Sequence, residues 1–180
     1  IGNHVNTILT VNTALAITPT SANIAANSDF SFNYTGGVPP VTYSVPTGGG
    51  AFIDPAVGTY TAPATTGAGT VLVTDALGHT STASVNHYNP LAISPTTITL
   101  GINAVQVFTG SGGVGALTYA MFSGAGTINA TTGSYTAPIG AGTDVVQVSD
   151  TIGNSVTATI TVVSSLTISP QTLNLPIHST

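Results

Sequence analysis

The chain has 180 residues, contains no Lys, Arg, Cys or Trp, and carries a formal net charge of −5 from five Asp. Without cationic side chains nothing neutralises phosphate, so nucleic-acid binding is excluded, and anionic lipid surfaces find no counter-charge. Disulfides and lysine-based isopeptide cross-links are equally excluded, and no apolar run approaches the roughly 20 residues of a membrane-spanning helix.

Residues 1–14 (IGNHVNTILTVNTA) repeat residues 152–165 (IGNSVTATITVVSS). Val5, Thr7, Leu9 and Val11 thus stand where Val156, Ala158, Ile160 and Val162 form a strictly alternating strand. At Leu15 the motif LAITPT opens a unit that begins again as LAISPT at Leu91 and LTISPQ at Leu166, a tandem repeat with a period of about 75 residues. The expected organisation is residues 1–14 as the final strand of a preceding repeat or a donated strand, 15–90 and 91–165 as two whole repeats, and 166–180 as the opening strand of a following one. With no initiator Met and no signal-peptide pattern, the chain reads as a portion of something longer.

Within the first repeat, short Val, Ile, Thr, Phe and Tyr runs alternate with Gly, Pro, Asn and Asp clusters about every 8 to 12 residues, an all-β signature. Strands are expected near residues 15–18, 23–25, 29–34, 41–45, 51–53, 59–61, 70–74 and 80–88. No helical period is present. The second repeat follows the first motif by motif: TGGVPPVTY corresponds to SGGVGALTY, VGTYTAP to TGSYTAP, and VLVTDALGH to VQVSDTIGN. An extra Gly among residues 48–50 is expected to absorb the one-residue difference in length. The fold class expected is two tandem antiparallel β-sandwich domains with unpaired strand segments at both ends.

The recurring residues point to structure before chemistry. In DALGHT and DTIGNS, Asp75 and Asp150 can accept amides of their own turn while Gly78 and Gly153 supply a positive φ. Tyr43 with Tyr119, and Tyr60 with Tyr135, recur and are expected in the core. Tyr34 and Tyr88 do not recur, and Tyr88, beside Asn89 and Pro90, is a candidate domain-junction contact.

His4, His79, His87 and His178 are scattered, and His79 and His87 lie too far apart for close zinc-ligand spacing. Asp29, Asp54, Asp75, Asp144 and Asp150 form no Asp-rich run for calcium. There is no Glu, no GxSxG elbow, and no helix after the paired glycines that could make a nucleotide loop. No enzyme, cofactor or metal site is expected.

The ordered pattern LxISP, F before a GG turn, TY, GxYTAP, VxVxDxxG and an alternating last strand resembles the bacterial immunoglobulin-like (Big-type) repeats of large surface, adhesin and fibre proteins. The resemblance covers the whole chain in two copies and two partial ones. It implies an Ig-like β-sandwich fold, an extracellular or cell-surface location and a mechanical or adhesive role, and it carries over no catalytic residue. The total absence of Lys and Arg departs from it.

The two ends carry apolar stripes, Val5, Leu9 and Val11 on one side and Leu166, Ile168, Leu173 and Leu175 on the other, and isolated strands of this kind seek a sheet. They are the candidate inter-repeat or inter-subunit strand contacts, either as parts of neighbouring repeats in a longer array or as strands donated between copies. Asn33 (Asn-Tyr-Thr) and Asn129 (Asn-Ala-Thr) are candidate N-glycosylation sites. The expected role is a non-catalytic segment of an extracellular filament whose partners are copies of itself, adjacent repeats and covalent glycans. The alternatives are the stalk of a giant surface adhesin and, third, a carbohydrate-binding accessory module.

Overall fold

A computed structural model describes residues 11–164, with Ile53 described by its backbone alone. Every regular element among these residues is a β-strand. The chain divides into two compact units between Pro90 and Leu91. Unit 1 contains β1 (Ala16–Thr18), β2 (Ser21–Ala25), β3 (Asp29–Ser31), β4 (Asn33–Thr35), β5 (Thr42–Thr47), β6 (Ala51–Asp54), β7 (Thr59–Thr61), β8 (Gly67–Thr74) and β9 (Thr80–Tyr88). Unit 2 repeats the set as β10 (Ala92–Ser94), β11 (Thr97–Gly101), β12 (Val105–Val107), β13 (Thr109–Ser111), β14 (Thr118–Ser123), β15 (Thr127–Ile128), β16 (Ser134–Thr136), β17 (Gly142–Ser149) and β18 (Ser155–Val163).

Each unit is a two-layer sandwich. In unit 1 one layer has the order β2-β9-β8-β5, and the other is built from β1-β4 and β3-β7-β6. β3 and β4 are one run interrupted at Phe32, whose amide donates to Gly58 O across 3.0 Å instead of continuing the ladder. Unit 2 reproduces this with β11-β18-β17-β14, β10-β13 and β12-β16-β15.

Alternation decides which side chains fill the space between layers. On β9, Ala83, Val85 and His87 are buried while Thr82, Ser84 and Asn86 face outward. Val71 and Val73 on β8 meet Ile17, Phe32 and Tyr60 from the facing layer in one cluster. The second core uses Ile93, Phe108, Tyr135, Val146, Val148 and Ile160. With each fully buried Val, Ile or Phe side chain contributing roughly 1.5–3 kcal/mol, this shared set is the main source of stability in each unit. Ser and Thr on the outer faces keep the sheets wet without charge.

Two features differ from the sequence expectation. The sandwich is not wholly antiparallel: β2 pairs parallel with β9, Ala22 opposite Val85 and Ile24 opposite His87, and β11 pairs parallel with β18. The opening segment starts in one layer as β1 and crosses to the other as β2, where it runs beside the last strand in the same direction. The Thr18-Pro19 and Ser94-Pro95 peptides at this crossover are cis.

The second difference is the place of the extra residue. Ala51 and Phe52 face Thr61 and Tyr60 just as Thr127 and Ile128 face Thr136 and Tyr135. The glycine loops of residues 48–50 and 124–126 therefore have equal length. The additional residue is Ile53, taken up by the register shift between Phe52 and Asp54. A bulge inserts one residue into an edge strand without disturbing its partner, whereas glycine-rich composition only made the loop look like the natural site of insertion.

Candidate assembly surface

At one end of each unit an aspartate pins two loops together. Asp75 Oδ1 accepts the amides of Leu77 and His79, both at 2.9 Å. Its Oδ2 accepts Val38 N at 3.0 Å and faces His79 Nδ1 at 3.0 Å. Gly78 closes the turn with φ +83°. Burial by itself would raise this carboxyl, but the His79 side chain and the amides of Val38, His79 and Leu77 outweigh it and hold the pKa down to about 2. Asp150 does the same through Ile152 N (3.1 Å), Asn154 N (2.9 Å), Val114 N (2.9 Å) and Asn154 Nδ2 (2.8 Å), and its carboxyl is likewise held below its ordinary value. The aspartates thus hold the paired-glycine loop to the β8-β9 and β17-β18 turns, a through-space role wider than capping their own turns.

In unit 1 this end carries a cleft of about 600 Å³ bordered by Val11, Leu15, Val38, Leu77, Asp75 and His79. Leu77 is 67% exposed at its rim. The cleft combines apolar side chains with a carboxylate already saturated by hydrogen bonds, so it offers shape and apolar contact.

The recurring tyrosines are buried, and each hydroxyl has a specific partner. Tyr43 donates to Phe32 O at 3.2 Å, whereas Tyr119 accepts Gly110 N at 2.7 Å. The deeper pair differs more. Tyr60 Oη lies 2.8 Å from Gly49 O and 2.7 Å from His87 Nε2, while Tyr135 donates to Asp144 Oδ2 at 2.6 Å. By strand register His87 corresponds to Val162, and Asp144 to Gly69. The same hydroxyl is therefore satisfied from two different strands in the two units. Sequence reasoning passed over both partners because neither recurs. The usable signal was reciprocal: where one repeat has Gly and His, the other has Asp and Val.

Asn33 is exposed on β4, opposite Thr18. Asn129 is exposed in a turn where its Oδ1 accepts Thr131 N (3.0 Å) and Thr132 N (2.9 Å), the place held in unit 1 by Asp54, which accepts Ala56 N at 2.8 Å. Tyr34 is 37% exposed and meets Tyr43 edge-on, ring centroids 6.3 Å apart. Tyr88 is half-buried at the end of β9, opposite Ala25. Val11 is 84% exposed and precedes β1. Val5, Leu9, Leu166, Ile168, Leu173 and Leu175, with His4 and His178, lie outside the described residues. His79 immediately precedes β9 and His87 lies near its far end. Among the described residues no group of three or more His, Asp or Glu could hold a metal ion, and no helix is long and apolar enough to cross a membrane.

No protein-family model matches the sequence, and comparison with curated protein sequences returns no match. Among solved structures, the chain overlays on the C-terminal 282-residue fragment of intimin, solved in complex with the intimin-binding domain of the translocated intimin receptor. The TM-score is 0.61 at 19% identity, covering 84% of this chain and 64% of that fragment. The chain thus spans less than two thirds of the intimin fragment, and at this identity the likeness speaks to the fold alone: tandem Ig-like β-sandwich domains. Drosophila N-cadherin EC1-4 (TM-score 0.35, 12% identity, 87% of this chain and 51% of that one) and domains 4 and 5 of the S-layer protein SbsC (0.35, 12%, 84% and 98%) also match. Neither overlays closely enough to bear on fold or function.

Proposed function

We propose that this chain is a non-catalytic structural segment of an extracellular bacterial filament, assembled linearly through strand and domain contacts between copies or adjacent repeats. The observation that carries the proposal is the continuity of the repeat. Leu91 follows the end of β9 at Tyr88 with the same spacing by which Leu166 follows the end of β18 at Val163. The construction thus reaches a further opening motif immediately after the second complete sandwich.

In this proposal the cleft beside Leu15, Val38 and Leu77 receives an adjoining repeat. Val5, Leu9 and Val11 at one end, and Leu166, Ile168, Leu173 and Leu175 at the other, join the sheets of neighbours, and Tyr88 stiffens the junction. Glycans on Asn33 and Asn129 serve as solubilising groups on a surface almost free of charge. The fold shared with the intimin fragment supports a second proposal, in which these repeats form the stalk of a surface adhesin whose recognition domain lies elsewhere.

Negative-stain electron microscopy of the protein as its cells produce it separates the two. Helically ordered fibres of many copies support the filament, and single thin tethers support the stalk. A dispersed chain that forms neither overturns both.

A further inference from the structure

Unit 1 holds a titratable group that its packing accommodates only when neutral. His87 is 2% exposed on β9. Its ring stacks on Tyr60 with centroids 5.9 Å apart and planes inclined by 21°. Nε2 lies 2.7 Å from Tyr60 Oη, while Nδ1 is buried without any hydrogen-bond partner.

The hydroxyl decides the tautomer. Tyr60 Oη has one proton and two neighbours, Gly49 O at 2.8 Å and His87 Nε2. If the phenol donates to Gly49 O, the ring proton sits on Nε2 and donates to Oη, which leaves Nδ1 as a bare lone pair. The opposite assignment strands an N–H at Nδ1 and removes the donor from Gly49 O, so the first satisfies more groups. In either assignment, protonation leaves a charged ring with an N–H at Nδ1 that meets no acceptor.

Among the described residues no neighbouring group compensates the charge. On β7 the neighbour is Tyr60, whose phenol burial pushes up, so it stays a neutral hydroxyl. The residue opposite His87 on β8 is Gly67, and on β2 it is Ile24. Phe52 of β6 lies against Tyr60, ring centroids 5.5 Å apart. Asp29 is bound to Thr61 Oγ1 at 2.6 Å on an exposed edge, Asp54 caps Ala56, and Asp75 is held at the other end of β9. Unit 2 has Val162 at the His87 position.

We propose that the Tyr60–His87 pair is a pH-responsive latch built into unit 1 alone, whose protonation frees the end of β9 and the glycine loop of residues 48–50 while unit 2 stays closed. Burial holds the imidazole below its ordinary value of 6.5. The folded unit therefore keeps His87 neutral while the unfolded chain takes up a proton. Stability is full above about pH 6.5 and falls as the pH drops, the folding constant losing up to about tenfold per pH unit until the folded ring itself titrates.

The test is urea unfolding of the whole chain between about pH 7.5 and pH 5, followed by amide NMR signals assigned to each unit. The expected result is a falling midpoint for unit 1 and a flat one for unit 2, with the unit 1 slope abolished in His87→Val and retained in His79→Asn. Equal slopes in both units, or a slope that survives His87→Val, overturn the proposal. If His87→Val does not fold, the ring NMR titration of His87 in the unaltered chain decides: a midpoint below 6.5 supports the latch, and one at or above 6.5 overturns it.

Discussion

Tyr135 donates its phenolic hydroxyl to Asp144 across 2.6 Å, and the same carboxylate accepts the amides of Ala125 (3.1 Å) and Gly126 (2.8 Å). Asp144 is 2% exposed. Burial first, and then Asp144, push the Tyr135 phenol far above its ordinary value of 10.0, so it remains a donor at any working pH. This one contact ties β16, β17 and the loop of residues 124–126 together inside unit 2. Asp144→Ala strands the hydroxyl and two amides, and is expected to cost unit 2 about 1–3 kcal/mol. Urea midpoints read separately for each unit check it, with unit 1 unchanged.

A second expectation concerns acid at a lower range than the His87 latch. Asp75 and Asp150 have folded pKa values below their ordinary 3.8, Asp75 down to about 2. A depressed carboxyl contributes stability that is present above the unfolded value and lost as pH falls through the folded one. Unit 1 is therefore expected to lose stability between about pH 4 and pH 2, and unit 2 as the pH falls below about 4. Asp75→Asn flattens this limb in unit 1 and Asp150→Asn flattens it in unit 2, measured by circular dichroism melts across that range.

Core and surface apolar residues three positions apart in one run separate sharply. Phe108 is fully buried and lies edge-on to Tyr135, centroids 6.1 Å apart, whereas Val105 is 63% exposed. Phe108→Ala is expected to cost about 3–5 kcal/mol through lost transfer and a cavity. Val105→Ala should change stability by less than about 0.5 kcal/mol. Chemical unfolding of the two variants side by side checks both.

Asn129 has a measurable structural duty apart from any glycan. Its side chain closes the β15-β16 turn as Asp54 closes the equivalent turn of unit 1. Asn129→Asp is expected to leave stability nearly unchanged, and Asn129→Ala to cost about 1 kcal/mol. Both changes abolish the sequon. Mass spectrometry of native material, set beside melts of these variants, separates a glycan's contribution from the turn's.

Local chemistry made much of this molecule readable in advance. The strand at the end of the second repeat followed from the alternation of Val156, Ala158, Ile160 and Val162, of which Ala158, Ile160 and Val162 are buried. The turn glycines were readable because Gly78 and Gly153 need a backbone conformation that side chains resist. The recurrence of Tyr60 and Tyr135 marked them for the core, where both are fully buried.

What the sequence determined by itself is whatever depends on neighbours along the chain: the repeat, its strands, its turn residues and its inward faces. Tertiary structure alone decided the crossing of the opening segment to a parallel seat beside β9 and β18, the bulge at Ile53, and the partners of the two buried hydroxyls. Gly69 shows why. A Cβ there would approach Thr47 O at 2.7 Å and Gly48 Cα at 2.9 Å, so unit 1 has no room for the aspartate that unit 2 uses. Its tyrosine is served instead by His87 from the adjacent strand. Residues far apart in sequence compete for one small volume, and the fit within that volume selects among them.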